Sequence, residues 1–386
     1  MTQPAEINIE HEAIKQPQVG EYIDAFSREA INPPNKDKCM GAFYTALTDL
    51  AQSDDKGIIN SFLQHVVYQR QREFTPQHLT NLIFRVFQYV KLFKEKDYRY
   101  PLSHNEPNRW KIEIPNLLEK HGKLMTELLL TKDTTTTIYQ RYAGTQAVLN
   151  GFFPDQKLKV ADFGCGGNYG LPGLIKGIPF KVISDETPDQ ILSMLINHQL
   201  DIGEGLAIDK IDPQDPDEKA WRLACSFYPQ ELNQLADLMV FEAGIANVHN
   251  VKFLQADLLD LHVDHFNNGG DTLPEKYFNA VVMNTICYQL NPQEQKRVFE
   301  IARRSIKKGG LLIVQDFARK DSIIPERLQF LESWFAEKDP YRTYVCGEST
   351  NWMFKEFLRW SSGRCLEVRT GEDFKELLNN NLNFAK

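Results

Sequence analysis

The sequence predicts an α/β protein, a doubly wound and mostly parallel sheet preceded by an all-helical N-terminal domain. Three observations support this fold class. An apolar run ends at Asp162 and is followed by Gly164 and Gly166, the pattern of a strand that meets a nucleotide-binding turn. From residue 138 onward, short apolar segments alternate with helical ones, which is typical of a parallel sheet. Residues 21–132 instead carry apolar side chains at helical spacing.

The N-terminal third divides into a polar start and a helical region. We predict a flexible N-terminus over 1–20 and a helical domain over 21–135. The clearest helix starts at Thr75-Pro76, a cap residue followed by proline in the first helical position. Further helices are predicted over 56–71 and 117–130, with a proline-containing loop over 97–115 between them. Such a domain could shape a substrate pocket or form a homodimer, and its aromatic residues could equally be simple core.

The remaining residues, 136–386, are predicted to form the sheet-containing domain. The predicted strands are 158–163, 180–185, 250–255, 278–283 and 311–316, with a helix over 292–306 before the last of these. Residues 341–346 and 365–369 are candidates for the last two strands, as an antiparallel pair at one edge. Residues 200–228 are polar and acidic, so we predict an insertion there, either a lid or a surface ornament.

Composition limits the possible partners and compartments. The 386 residues carry a net charge of −8, which argues against non-specific binding to nucleic acid or acidic membranes. The N-terminus lacks an apolar signal core and no apolar run approaches ~18 residues, so we predict a cytoplasmic protein without a membrane span. None of the six cysteines forms a C-x-x-C pair, so we predict buried thiols and no metal site.

The glycine spacing separates two classes of ligand. A dinucleotide fingerprint requires G-x-G-x-x-G, and its third glycine position is occupied here by Tyr169. This disfavours a nicotinamide-dependent oxidoreductase. An acid two places before the first glycine, Asp162, instead suits a ligand with a cationic amino group. Asn168 follows Gly166 at two-residue spacing, and asparagine tolerates left-handed backbone better than most residues do.

At these residues the chain resembles the class I S-adenosylmethionine-dependent methyltransferases. Their signature, acid-x-Gly-x-Gly-x-Gly, is matched at Asp162, Gly164 and Gly166, with Asn168 in place of the third glycine. The resemblance covers residues 138–320. It implies a Rossmann-like, seven-stranded methyltransferase sheet and S-adenosylmethionine as the cofactor.

The resemblance also implies a set of cofactor-binding residues, in chain order. Each stands at the end of a predicted strand, where a ligand of an open α/β sheet binds. The turn would wrap the methionine part of the cofactor, an acid after the second strand would bind the ribose, and the residues after the third would contact the adenine. The corresponding residues are Asp162, Gly164, Cys165 and Gly166, then Asp185, then Asp257 and Leu258, and finally Asn284 at the methyl-transfer site.

The acceptor side of the site leaves alternatives open. Tyr288 stands where some similar small-molecule O-methyltransferases place a catalytic histidine, and a tyrosine with a pKa near ~10 is a poor base at neutral pH. Tyr288 is therefore either a pocket wall or a catalytic residue. Asp316, at the end of the fifth predicted strand, either contacts the acceptor or caps local backbone. Arg141 either pairs with the cofactor carboxylate or is a solvated surface residue.

The sequence therefore predicts an enzyme that transfers a methyl group from S-adenosylmethionine to a small-molecule acceptor, by O- or N-methylation. The candidate catalytic residues are Asn284, Tyr288 and Asp316. The alternative is a protein that binds the cofactor without catalysis and acts as a regulatory or interaction module. Turnover of the cofactor with any acceptor would distinguish the two.

Overall fold

The chain divides into two compact units. Unit 1 comprises residues 1–135 and 223–235, and unit 2 comprises residues 136–222 and 236–386. The structure, a computed structural model, describes residues 19–53, 57–70, 76–97, 99–135, 138–184, 190–231, 233–264, 271–317 and 339–382. Most of the N-terminus that we predicted to be flexible, residues 1–18, lies outside these ranges.

The described residues before position 135 are helical or irregular. The helices are α1 Val19–Ile31, α2 Lys38–Gln52, α3 Ile58–Gln69, α4 Pro76–Tyr89 and α5 Pro107–Thr131. Helix α4 begins at the predicted proline, and its apolar positions Leu79, Leu82 and Ile83 are fully buried. Phe43 of α2 packs edge-to-face against Phe84, with the ring centroids 5.2 Å apart. Burial of such aromatic pairs holds these helices together.

The loop predicted over 97–115 is wrong in its second half. Helix α5 already begins at Pro107, which stands in the first turn, where the missing N–H costs no hydrogen bond. Pro115 lies inside the helix, and burial of the flanking Ile114 and Leu117 favours helix despite the bond that Pro115 cannot make. Tertiary packing thus overrides the local preference of proline.

Unit 2 is built on one large sheet that is mostly parallel around its centre. The strands among the described residues are β1 Leu158–Phe163, β2 Ile183–Ser184, β3 Ile202–Asp209, β4 Val251–Gln255, β5 His262–Asp264, β6 Thr272–Pro274, β7 Phe278–Asn284, β8 Ile306–Phe317, β9 Tyr341–Gly347, β10 Lys355–Trp360 and β11 Glu367–Thr370. The order in the large sheet is β2-β11-β10-β9-β8-β7-β1-β3-β4, and β5 pairs with β6 separately. Among the described residues this sheet has nine strands, not the seven that the resemblance implied.

The second strand of the parallel core is not the one predicted. Residues 183–184 pair with β11 at the far edge of the sheet, whereas β1 lies between β3 and β7. Strand β3, Ile202–Asp209, falls inside the region that we predicted to be an insertion. Ala207 and Ile208 of this strand are fully buried, so the prediction that residues 200–228 as a whole form an insertion is wrong. The acidic residues on either side of the strand made the region read as polar.

The C-terminal strands are more numerous than predicted. Strand β10 lies between β9 and β11 and is antiparallel to both, so residues 341–346 and 365–369 do not form a direct pair. Strand β9 is in turn antiparallel to β8. The turn at Gly347 leads the chain back to β10, whose Phe357, Leu358 and Trp360 are fully buried. This burial makes β10 an interior strand.

Helices cover both faces of the sheet, and β1 contributes to both. Leu158 and Val160 pack into one apolar layer, and Ala161 and Phe163 pack into the other, as the period of two along a strand requires. The remaining helices are α6 Tyr142–Phe152, α7 Gly170–Ile175, α8 Gln190–Asn197, α9 Pro216–Ser226, α10 Asn233–Ile245, α11 Pro292–Ser305 and α12 Phe374–Leu382. The site described below lies at the carboxyl ends of β1, β3, β7 and β8.

Candidate functional site at the carboxyl ends of the central strands

The glycine turn after β1 adopts the left-handed backbone that its sequence predicts. The φ angles of Gly164, Gly166 and Asn168 are +73°, +55° and +52°. A Cβ on Gly164 would overlap the terminal methyl group of Ile286, and the positive φ strains any residue with a Cβ, so both features favour glycine there. The backbone N–H groups of Gly164 and Cys165 both donate to the carbonyl oxygen of Ile208, at 2.8 and 3.0 Å. These bonds fix the turn against β3.

Asp162 is fully buried just before this turn. Its Oδ2 accepts a hydrogen bond of 2.7 Å from the Tyr142 hydroxyl, and its Oδ1 has no hydrogen-bond partner among the described residues. Burial raises the pKa of Asp162 to about 7, the Tyr142 hydrogen bond lowers it, and the charge of Asp209 raises it. Burial also raises the pKa of Tyr142 far above its ordinary value, so Tyr142 remains a neutral donor.

Asp209, the last residue of β3, is a candidate site residue that sequence reasoning missed. Its Oδ2 accepts a 2.8 Å hydrogen bond from the backbone N–H of Gly166, and its Oδ1 accepts one from Ile211. Burial raises the pKa of its carboxyl group. A signal was present, because Leu206-Ala207-Ile208-Asp209 repeats the apolar run ending in an acid that marks β1.

Asp185, which the resemblance placed at the ribose, lies outside the described residues. The strand before it, β2, pairs with β11 at the edge of the sheet remote from β1. Asp185 was assigned to the ribose because it ends the second predicted strand of a βαβ unit that begins with β1. In the structure the strand beside β1 is β3, so its terminal acid, Asp209, is a second candidate for that position.

The residues after β4 make local contacts. Asp257 is exposed, and its Oδ1 accepts a 2.9 Å hydrogen bond from the backbone N–H of Leu259. Leu258 is buried in the apolar layer that also contains Phe163. Strand β4 lies beside β3, so both residues follow a strand at the same edge as Asp209. Their contact with adenine stays a prediction.

The residue after β7 supplies an unsatisfied amide. The side chain of Asn284 is buried, and neither its nitrogen nor its oxygen has a hydrogen-bond partner among the described residues. The next residue, Thr285, has a φ of +58°, a strained conformation for a β-branched side chain. Its backbone N–H donates to Gln315 at 2.7 Å, and its hydroxyl hydrogen-bonds the hydroxyl of Tyr341. These contacts hold the backbone beside Asn284 in place.

Asp316 lies near the end of β8 and is almost fully buried. Its Oδ1 accepts from the backbone N–H of Phe317 at 2.7 Å, and its Oδ2 accepts from that of Tyr288 at 3.2 Å. Burial raises the pKa of Asp316 to about 6, and these backbone hydrogen bonds oppose the rise. Tyr288 is half-buried and packs edge-to-face on Phe317, with the centroids 5.9 Å apart. The two candidate catalytic residues Asp316 and Tyr288 are therefore in direct contact.

Arg141 is held by the protein itself. Its Nε donates a 2.9 Å hydrogen bond to the carbonyl oxygen of Gly363, and its guanidinium lies 5.9 Å from the centroid of the Tyr341 ring. It is partly buried, so it is not the solvated surface residue of the second alternative.

The arrangement fits the polar groups of S-adenosylmethionine. Buried acceptor atoms without partners, Oδ1 of Asp162 and Oδ1 of Asn168, face no donor among the described residues and suit an ammonium group. Asp209 accepts backbone hydrogen bonds on both carboxylate oxygens, and because a carboxylate has about four acceptor sites, capacity for a ribose hydroxyl is left. In the part of the chain that the structure describes, no group of three or more His, Cys, Asp or Glu residues could hold a metal ion. Nor is any described helix both long and apolar enough to cross a membrane.

Comparison with known proteins gives similarity to solved structures only, since no family model and no curated protein matches the chain. A Mesorhizobium loti S-adenosylmethionine-dependent methyltransferase is 14% identical over 46% of this chain and 56% of its own, with a TM-score of 0.24. The [4+2]-cyclase SpnF is 16% identical over 50% of this chain and 52% of its own, with a TM-score of 0.26. A DhpI–SAH complex is 14% identical over 62% of this chain and 71% of its own, with a TM-score of 0.25.

The chain spans about half the length of the first two of these structures. All three TM-scores are low, so the description of the fold rests on the strand order and the site geometry given above.

Proposed function

We propose that unit 2 binds S-adenosylmethionine and transfers its methyl group to a small-molecule acceptor. The observation that carries this proposal is the convergence of Asp162, the Gly164–Gly166 turn and Asp209 at adjacent strand ends, beside the unsatisfied amide of Asn284. These residues flank the point between β1 and β7 where the strand order reverses. Open α/β sheets bind their ligands at that point.

The chemistry requires little of the protein beyond positioning. When bound, the cofactor supplies a methyl group already activated on a sulfonium. The protein must align the acceptor with that group and exclude water. The buried residues at the strand ends suit this task, because Asp162 and Asn284 are each more than nine-tenths buried.

Each of these residues has a proposed role. Asp162 accepts a hydrogen bond from the amino group, and Asp209 accepts hydrogen bonds from the ribose hydroxyls. Asn284 orients the reacting groups, and Asp316 faces the acceptor with Tyr288 as a neighbouring wall. Their places at successive strand ends support these roles, and Asp209 takes the role that the sequence gave to Asp185.

The charge around the site favours a small acceptor over a nucleic acid. Three carboxyl groups, those of Asp162, Asp209 and Asp316, stand at the strand ends, and the chain as a whole carries a net charge of −8. This distribution disfavours a phosphate backbone, because nucleic-acid affinity depends on cationic side chains and these strand ends carry carboxyl groups in their place.

Thermal denaturation with and without ligand tests the cofactor. At ~100 times its dissociation constant, a ligand adds ~2.7 kcal/mol of stability. We expect S-adenosylmethionine and S-adenosylhomocysteine to raise the Tm, and NAD and NADP to leave it unchanged. Asp209→Asn should weaken the response, and Asp185→Asn, the matched control, should keep it. A response to NAD alone would contradict the proposal, and the reverse ranking of the two variants would contradict the role of Asp209.

Catalysis needs a separate test. The protein should be incubated with S-adenosylmethionine and a panel of phenols, alcohols and amines, and S-adenosylhomocysteine should be quantified by mass spectrometry. Turnover that depends on the acceptor supports the methyltransferase. Binding without turnover across the panel favours the alternative, a cofactor-binding protein with a regulatory role.

A further inference from the structure

The two oxygens of the Asp162 carboxyl group differ in their hydrogen bonding, because Tyr142 donates to only one of them. The hydroxyl of Tyr142 donates to Oδ2 at 2.7 Å, whereas Oδ1 is buried and has no partner among the described residues. A buried acceptor without a donor costs roughly 1–3 kcal/mol. Such an atom is therefore a place where a ligand donor can bind with little competition.

The position of Tyr142 is fixed by packing. Its ring lies against Gly170 of α7, where any Cβ would overlap the ring atoms. One turn earlier, the ring of Tyr139 lies in the same way against Gly173, and its hydroxyl donates to the carbonyl oxygen of Ile178 at 2.9 Å. Two tyrosines three residues apart thus pack on two glycines three residues apart. The Tyr142 hydroxyl cannot move away from Asp162 without displacing α7.

Among the described residues, no cation contributes to the shifted pKa of Asp162. Asp209, on the neighbouring strand, adds a negative charge, and the nearby Cys165 carries a thiol whose pKa burial raises well above its ordinary value. The amide of Asn284, next to Tyr142, is neutral. A cationic amino group that binds at Oδ1 would be the first compensating charge.

Building on the proposed function, we propose that Tyr142 is a positioning residue that directs Oδ1 of Asp162 to the amino group of the cofactor, and that cofactor binding expels the proton which Asp162 holds. Below about pH 7, the carboxyl group is mostly protonated and neutral before binding, because burial raises its pKa to about 7. On binding, the O–H bond breaks, the proton leaves to the solvent buffer, and the carboxylate pairs with the ammonium group. The charge of the site is thereby balanced without any other reactant.

The burial-raised pKa of Asp162, about 7, sets the size of this coupling. At pH 6 the free protein would hold ~0.9 proton on Asp162, and at pH 7 it would hold ~0.5. The dissociation constant should therefore be about fivefold larger at pH 6 than at pH 7. The measurements are made at pH 7 and below, because the α-amino group of the ligand itself titrates near ~7.7–8.0.

Isothermal titration calorimetry with S-adenosylhomocysteine tests the coupling, because this ligand has the same amino group and undergoes no turnover. Titrations at one pH in buffers of different ionisation enthalpy give the number of protons released. We expect ~0.9 at pH 6 and ~0.5 at pH 7. Release of no protons, with a dissociation constant independent of pH between 5.5 and 7, would overturn the inference but not the cofactor. Absence of binding at every pH would overturn the proposed function.

Two variants with a matched control test the role of Tyr142. Tyr142→Phe removes the hydrogen bond that lowers the pKa of Asp162, so affinity should begin to fall at a higher pH. Tyr139→Phe removes the other packed hydroxyl and should leave the pH profile unchanged. Asp162→Asn should release no proton and bind at least ~10-fold more weakly. If Tyr142→Phe and Tyr139→Phe have the same profile, Tyr142 has no positioning role. A thermal melt of each variant shows whether it is folded.

Discussion

The backbone N–H of Gly166 donates a hydrogen bond to Oδ2 of Asp209 across 2.8 Å. This contact joins the glycine turn after β1 to the end of β3, and the second oxygen of Asp209 accepts from Ile211 at 3.2 Å. One carboxylate therefore shapes both loops that border the proposed cofactor site. Its loss should affect the free protein as well as the ligand complex.

We expect Asp209→Ala to lower the free energy of unfolding by roughly 1–3 kcal/mol, because a partly buried N–H loses its acceptor. Asp209→Asn keeps one acceptor oxygen, enough for one of the two backbone hydrogen bonds, and should recover part of the loss. Urea denaturation of the ligand-free protein measures both. Asp212→Ala is the control, since Asp212 accepts from the backbone N–H of Gln214 at an exposed site. Equal losses of unfolding free energy for Asp209→Ala and Asp212→Ala would show that burial of the Asp209 hydrogen bonds does not increase their contribution to stability.

We expect Asp162→Asn to stabilise the ligand-free protein at alkaline pH. The folded-state pKa, about 7, exceeds the ordinary value of 3.8, so the folded protein holds a proton that the unfolded chain releases between these values. The stabilisation of the folded protein by this bound proton is fully present below about pH 4, falls as the pH rises, and is lost above about pH 7. The amide of Asp162→Asn does not titrate. The free energy of unfolding of this variant should therefore exceed that of wild type by an amount that grows up to pH 7 and is on the order of a few kcal/mol.

Denaturation of wild type and Asp162→Asn between pH 5 and 8 measures this difference. Asp316 should leave a second, smaller pH dependence in both proteins, because burial raises its pKa to about 6. Parallel stability curves for the two proteins would show that Asp162 is already ionised at pH 5.

We expect Gly164→Ala to destabilise the protein more than Gly309→Ala does. Both glycines have a positive φ, +73° and +74°, so both substitutions carry a similar backbone strain of roughly 1 kcal/mol. At Gly164 the added Cβ also overlaps Ile286, whereas at Gly309 it meets no atom within 4 Å. Chemical denaturation gives the difference, and Ile286→Ala in the Gly164→Ala background should reduce it. Equal effects at the two glycines would rule out the clash.

We expect the buried ion pair between Arg342 and Glu356 to tolerate joint replacement better than loss of Glu356 alone. Its atoms lie 2.7 Å apart, and both side chains are 1% exposed. Glu356→Leu alone should cost roughly 3–5 kcal/mol, because it removes the buried carboxylate that faces the Arg342 guanidinium. Arg342→Met alone should cost less, because Glu356 keeps its ion pair with Arg359. The double variant should cost less than Glu356→Leu. Arg303→Met, at an exposed pair with Glu300, should cost under ~1 kcal/mol, and additive losses at the buried pair would contradict this account.

Local sequence patterns were sufficient for the elements that carry the glycine turn. Strand β1 has the predicted bounds, and β4 and β7 agree with their predictions within a residue. The positive φ of Asn168 also follows from residue type. In these segments the spacing of apolar residues predicts the strands, and the glycine and asparagine residues predict the turn. Each pattern depends only on residues that are close together in the sequence.

Strand order was decided only by the tertiary structure. Both Val182-Ile183-Ser184-Asp185 and Ala207-Ile208-Asp209 read as an apolar strand that ends in an acid, and the sequence favoured the first. Hydrogen bonding to β1 selects the second, because β3 buries its apolar residues beside β1 while β2 pairs with β11. The neighbour of a strand depends on partners distant in the chain. The sequence by itself therefore determined the glycine turn and the acid before it, and the fold determined which second acid stands beside them.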